Sequence, residues 1–380
     1  MGNDVFIKKT SSYLPNNSVT NDIIEDYIGK IGGKPSRVKN LVLRQNGIKS
    51  RYYALTTNQE ITHTSAMLAS EAIKRLFSDS NELSHLELIT TATSIPDQIL
   101  PSHASMVHGL LPETRNIEIF STSGVCLTSL QALKIAYLSI ASGDKNNAVC
   151  CASELVSAAL LSKHYDSEYE KCHNISENPY ISFEKDFLRF MLSDGAGAVY
   201  LDNVPNESGS TLKIEWIEME SNANSLPACM IAGAEFNPDG SITTWKSYDN
   251  QELLDKSIFT VKQDIRLLKN HAVKLAVDHI EMALKKNKTQ PNDIKYFIPH
   301  LSSMFFYQEL LHEIQERNID LGEEKWFLNL TKVGNIGSAS IFVALDELFK
   351  SGKLKKGDNI LLLVPESGRF SYGTALLTVV

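Results

Sequence analysis

Cys126, His300 and Asn335 are the residues of this 380-residue chain whose types and settings point to one shared chemistry. Cys126 stands between two patterns. The stretch from Ile117 opens as a short apolar strand and passes through a small-residue turn, and Leu130, Leu133, Ala136, Tyr137 and Ile140 then recur at helical spacing until Gly143. A thiol at such a seam meets unpaired backbone N–H groups and the positive end of a helix dipole. That setting is expected to lower its pKa and favour the nucleophilic thiolate. His300 follows Pro299 at the end of the apolar run Ile294 to Ile298. Asn335 lies in the turn Thr331-Lys-Val-Gly-Asn-Ile-Gly, ahead of a second helix from Ser338 to Phe349. Each has a plainer reading when taken alone. Free cysteines are usually small buried apolar residues, a strand-end histidine can bond a carbonyl, and Asn beside Gly tolerates a left-handed turn. Taken together, a thiol, an imidazole and a carboxamide can hold an acyl group covalently and donate to an enolate oxygen.

The rest of the composition narrows the field. With 43% hydrophobic and 22% charged residues, the chain is an ordinary globular protein long enough for two domains or a duplicated one. A net charge of −8 argues against a general nucleic-acid or anionic-membrane surface. Met1 to Leu14 lacks the pattern of an export signal and no apolar run reaches membrane-spanning length, so a cytoplasmic location is expected. The five cysteines (Cys126, Cys150, Cys151, Cys172 and Cys229) form no disulfide framework and no paired Cys-x-x-Cys, so neither a disulfide scaffold nor a zinc site is expected. His164 and His173 read as surface loop residues.

The elements that must position the three residues repeat along the chain. An offset of 209 aligns Gly143 with Gly352 without gaps. It places Leu130, Ala132, Leu133, Ile135, Ala136 and Ile140 on Ala339, Ile341, Phe342, Ala344, Leu345 and Phe349, and Cys126 on Asn335 (126 + 209 = 335). Apolar strands flank both helices: Leu86 to Thr91 and Ala148 to Ala152 in the first half, Ile294 to Ile298 and Asn359 to Val364 in the second. The Pro-, Asn- and Gly-rich stretch 203–210 separates the halves, giving domains 1–205, with the nucleophile, and 206–380, with the histidine and asparagine. The expected architecture is α/β, a pseudo-twofold pair of halves with buried sheets between helical layers. In it the helices after Cys126 and Asn335 would lie side by side. Leu253 to Lys286 reads as one long helix, and 160–187 as a polar excursion from the core.

Gly-Val-Cys126, Ile-Pro-His300 and Gly-Asn335-Ile-Gly-Ser-Ala-Ser, with Ser193-Asp-Gly-Ala-Gly-Ala and Ser367-Gly-Arg-Phe-Ser-Tyr-Gly373, resemble the ketoacyl synthase III branch of the thiolase superfamily. Leu14-Pro15 and Pro101-Ser102 add to the match, which runs over essentially the whole chain. The resemblance implies a duplicated five-layer αβαβα thiolase fold and a homodimer. It implies a cofactor-free acyltransferase that loads an acyl group on Cys126 and condenses it with a carbanion, assisted by His300 and Asn335. The backbone N–H groups of Cys126 and Gly368 would form the oxyanion hole. Gly195 and Gly197 read as close-packing positions, since a single Gly-x-Gly is too weak for a dinucleotide site.

The departures refine that expectation. Family members that start fatty-acid synthesis often hold coenzyme A with a tryptophan and an arginine before the position of Gly47, where this chain has Leu41 and Gln45. Delivery by an acyl carrier protein is therefore expected over coenzyme A thioesters, with Lys39, Arg44, Lys49 and Arg51 as its basic contacts. Glu154, at the end of the Ala148 strand, is a candidate base for an α-proton; its structural alternative is a carboxylate paired with Arg369 or Arg189. These features resemble the ketosynthase/cyclase enzymes of dialkylresorcinol and stilbene pathways, which join two β-ketoacyl thioesters and close a 1,3-cyclohexanedione. Two alternatives stand beside this: a decarboxylative synthase using malonyl-carrier protein, and a non-catalytic partner subunit of a heteromeric synthase.

Overall fold

The computed structural model describes residues 2–167 and 186–380, so Cys172, His173 and most of the excursion read at 160–187 lie outside the described residues. Its frame is a nine-stranded sheet. The strands are β1 (Phe6–Tyr13), β2 (Leu88–Thr93), β3 (Glu118–Ser123), β4 (Asn147–Glu154), β5 (Gly195–Asp202), β6 (Leu212–Ser221), β7 (Ile294–Pro299), β8 (Asn359–Glu366) and β9 (Ser371–Val379). They run in the order β7-β8-β9-β6-β1-β5-β4-β2-β3. The halves meet where β1 pairs with β6, through only Phe6–Lys213 and Ile7–Leu212.

The duplication is visible in the pairing. In the first half β1, β5 and β4 are antiparallel neighbours, and β4, β2 and β3 are parallel. In the second half β6, β9 and β8 are antiparallel and β8 and β7 parallel, with a single parallel bridge, Phe297–Trp326, where a fifth strand would lie.

Period-two side-chain alternation makes each strand serve two layers. Along β4, Ala148, Cys150 and Ala152 enter the central core, while Val149 and Cys151 enter an outer core with α1 (Ser65–Lys74). Along β8, Ile360, Leu362 and Val364 face the centre; Leu361 and Leu363 face the opposite outer core with α4 (Ile265–Lys286) and α5 (Phe305–Glu316). A short helix α2 (His103–His108) also packs on the first half. The central core contains α3 (Thr128–Ala141) and α6 (Ser340–Lys350), the pair aligned by the 209-residue offset. Ile341, Phe342, Leu345 and Leu348 of α6 are each at most 1% exposed. Each such burial is worth roughly 1.5–3 kcal/mol, which fixes the middle layer more firmly than any local propensity.

Two boundaries differ from the sequence reading. The stretch 253–286 is not one helix: Asn250–Asp255 ends, Lys262–Gln263 forms a short strand with Met230–Ile231, and α4 starts after Asp264, whose carboxylate caps Leu267 N–H. The apolar pattern runs on through Ile258 and Val261, which hides the break. Leu86 to Thr91 also shifts, to Leu88–Thr93, in register with β3.

Candidate active site

Cys126 lies two residues before the first helical residue of α3, and Ser129 Oγ donates to its carbonyl at 3.1 Å. His300 extends the β7 ladder, its N–H bonded to Leu363 O at 2.8 Å. Asn335 is fixed by the other half of the molecule: its N–H donates to Met191 O and its carbonyl accepts Ser193 N–H at 2.8 Å. The Ser193-Asp194 motif ties this junction to the amino-terminal segment, because Tyr52 N–H bonds Ser193 Oγ and Asp194 accepts Ala54 and Ser157 N–H. Gly334 takes the left-handed backbone (φ 75°), and a Cβ there would fall within 2.9 Å of Ser193 and Arg51 side chains. Asn335 itself is therefore not the left-handed residue of this turn. Gly197 is a close-packing glycine as expected, since a Cβ would meet Phe342 Cβ at 2.7 Å.

Two cavities converge on the thiol. One, about 530 Å³, is bordered by Cys126, His300 and Glu366 among apolar residues of α4 and α5. The other, about 900 Å³, is bordered by Cys126 and Asn335 among apolar residues such as Val156, Met191 and Val261. Cys126, Ser302 and Ser367 line both. Cys126 is thus shared by the two cavities, His300 bordering the first and Asn335 the second. Among the described residues His300 Nε2 is buried without a hydrogen-bond partner, and burial lowers its pKa to about 4, so the imidazole is neutral at ordinary pH. Asn335 Oδ1 accepts Gly337 N–H at 3.0 Å, which leaves the amide nitrogen as the end available to a ligand.

Three expectations are corrected. The Cys126 thiol is held well above its usual value, not below it. Burial is the main cause, followed by the Glu366 and Glu154 carboxylates, and Glu366 already takes the Val125 and Leu127 N–H groups at the start of α3. Glu154 borders neither cavity. It is fully buried and accepts bonds from Ser94 N–H and Oγ and from Ser338 N–H and Oγ, a clasp spanning 184 residues between the halves. Burial does raise its pKa, but its lone pairs are spent on serines and neither Arg369 nor Arg189 is its partner. Arg51 cannot greet a carrier protein: it is fully buried and donates to Val19 O, Asn21 Oδ1 and Phe190 O. Of the other basic residues, Arg44 and Lys49 are exposed, and Lys39 is half-buried and paired with Glu25 at 3.2 Å. Gly368 packs behind Val125 and its carbonyl accepts Cys229 and Met230 N–H.

Sequence reasoning missed Glu366. A signal was present: β4 reads Asn147-Ala-Val-Cys-Cys-Ala-Ser-Glu154 and β8 reads Asn359-Ile-Leu-Leu-Leu-Val-Pro-Glu366, offset by 212 at both ends (359 − 147 and 366 − 154).

Residues 284–379 match the family profile described as 3-oxoacyl-acyl-carrier-protein (ACP) synthase III C terminal. The fold is the thiolase fold, and residues 284–379 are similar in sequence to the C-terminal part of ketoacyl synthase III. A beta-ketoacyl-acyl-carrier-protein synthase III of Clostridium perfringens (strain 13 / Type A) is 26% identical over 366 residues, 96% of each chain. A similar relative in Clostridium botulinum (strain Loch Maree / Type A3) is 27% identical over 368 residues, covering 97% of this chain and 96% of that one. Among solved structures, 3-oxoacyl-acyl-carrier-protein synthase III of Aquifex aeolicus VF5 aligns with TM-score 0.67 and 24% identity over 98% of this chain and 99% of that one. Xanthomonas campestris OleA, solved with lauric acid and lauroyl-CoA, aligns with TM-score 0.72 and 19% identity over 100% of both. The tetronic acid condensing enzyme AbyA1 aligns with TM-score 0.73 and 19% identity over 98% of this chain and 99% of that one. At these identities the structural likeness speaks for the fold alone. Among the described residues no helix is long and apolar enough to cross a membrane.

Proposed function

We propose that this protein joins two acyl thioesters by a Claisen condensation through an acyl-Cys126 intermediate. The observation that carries the reading is the meeting of two apolar cavities at one sulfur. A malonyl donor is short and charged and needs no second greasy chamber; two acyl chains do. Loading is balanced within itself: Cys126 sulfur attacks the thioester carbon, the carrier thiolate leaves, and the thiol proton goes to that leaving group. The second thioester is then enolised, and neutral His300 and the Asn335 amide, as hydrogen-bond donors, stabilise the charge that develops on its oxygen.

The substrate pair we favour is two β-ketoacyl units, whose joining and second bond formation would give a 1,3-cyclohexanedione. The larger cavity supports this, since it mixes Ser94, Gln263 and Asn335 with apolar walls and has room for a folded intermediate. The decarboxylative alternative draws support from the names of the curated relatives. Carrier protein remains the proposed delivery route, now with Arg44 and Lys49 as its exposed basic contacts. Carbon dioxide release decides between the readings. With two unlabelled β-ketoacyl-carrier thioesters, product is expected without release of carbon dioxide; an absolute requirement for malonyl-carrier protein would sink the proposal.

A homodimer is proposed from the edge of the sheet. Among the described residues β3 ends the strand order with one side unpaired, and its Phe120, like Ile99 and Leu100 in the segment after β2, is exposed. Such an edge is normally covered. Sedimentation is expected to give twice the chain mass at micromolar concentration, and a monomer at that concentration would refute the pairing.

A further inference from the structure

Strands β4 and β8 occupy equivalent places in the two halves, and each ends in a glutamate that reaches across to the other half. Glu154 of β4 grips Ser338, in the turn that leads into α6. Glu366 of β8 grips Val125 N–H at 3.2 Å, in the turn that leads into α3, across 241 residues. The pair has diverged. Glu154 is walled in by Ser94 and Ser338, with the Gly337 backbone packed on its carboxyl. Among the described residues Glu366 is held by the backbone N–H groups of Val125 and Leu127, and it lines the cavity that also contains Cys126 and His300. That cavity is otherwise apolar, apart from two serines and Tyr372. A carboxylate placed there is only partly exposed, and among the described residues no cation pairs with it.

We propose that Glu366 is the catalytic base that enolises the second acyl thioester in the cavity it shares with Cys126 and His300. This rests on the two-thioester reading above and names the group that reading lacks. The step closes on itself. The Glu366 carboxylate takes a proton from Cα of the second thioester, and the C–H electron pair passes to the thioester oxygen, facing His300 Nε2. Cα then attacks the acyl carbon on Cys126, the new C–C bond forms and the C–S bond to Cys126 breaks. The departing sulfur, kept basic by burial and by two neighbouring carboxylates, recovers the proton from the Glu366 carboxyl. Each turnover thus returns thiol and carboxylate to their starting states without an outside acid. Burial also lifts the Glu366 pKa above the usual carboxylate range, which suits a base that must release its proton again.

The test uses the full chain and a ketone analogue of octanoyl-pantetheine with CH2 in place of sulfur, incubated in D2O. The analogue cannot acylate Cys126 but has exchangeable protons on the acyl side of its carbonyl. Wild type is expected to exchange them, and Glu366→Gln to do so about 100-fold more slowly, in line with the loss of a general base. Acyl loading of Cys126 from octanoyl-carrier protein, read by intact mass, should persist in Glu366→Gln and show that the variant is folded. Glu366→Asp, which keeps the carboxylate, should restore part of the exchange. Exchange in Glu366→Gln at the wild-type rate overturns the inference while leaving the two-thioester reading intact. Normal loading of wild type with no exchange overturns it as well. Wild type that never becomes acylated overturns the condensation reading and this assignment with it.

Discussion

Cys126→Ala is expected to abolish the acyl adduct seen by intact mass and to lower product formation on the order of 10⁴-fold or more, the scale set by deleting a covalent nucleophile. The expectation does not depend on a low thiol pKa. Among the described residues Cys126 is the one cysteine that borders either cavity; Cys150 and Cys151 are packed within β4, and Cys229 is buried with its thiol directed at Asp264 O. Ser302 and Ser367 also touch both cavities, so they are the rival nucleophiles. A hydroxyl there lacks the intrinsic nucleophilicity of sulfur, and among the described residues His300 Nε2 accepts a hydrogen bond from neither serine. An adduct of full stoichiometry on Cys126→Ala, mapped to either serine, would overturn the assignment.

The contrast between Cys126 and its surroundings shows what the chain makes legible and what it hides. The strand–helix seam, the two central helices and the pairing of Cys126 with Asn335 follow from periodicity and a fixed offset, because packing in the middle layer demands apolar residues at set intervals. The thiol's electrostatics do not follow. They depend on Glu366, brought to Val125 from 241 residues away, and no local pattern reports that a helix start is already occupied by an anion. Arg51 shows the same limit from the other side. A basic residue in a basic stretch reads as surface, yet it is buried on two backbone carbonyls and Asn21, partners that only the tertiary fold supplies. Glu366 lay within reach of the repeat itself. The offset between β4 and β8 is 212 rather than 209, so an ungapped comparison passes over it.

His300→Ala is expected to slow condensation by about 10³-fold while leaving Cys126 loading within an order of magnitude. This is the loss expected for one donor to a developing oxyanion, roughly 3–4 kcal/mol. The same substitution has a signature in stability. Free histidine has a pKa of 6.5, and burial takes folded His300 to about 4. Below pH 6.5 the unfolded chain therefore binds a proton that the folded protein refuses, so acid favours unfolding. The contribution is complete above pH 6.5 and is lost as pH falls through 4, a span worth about 3 kcal/mol at this site. Glu366, Glu154 and Asp194 titrate in the opposite sense, because burial raises each of them, but they are common to wild type and variant. The difference in unfolding free energy between the two proteins, followed by denaturant titration from pH 7 to pH 4, isolates the histidine. It should move in favour of the variant as pH falls. A difference that stays flat over that range would mean that His300 is open to water, and a neutral donor in a dry site would no longer explain the condensation step.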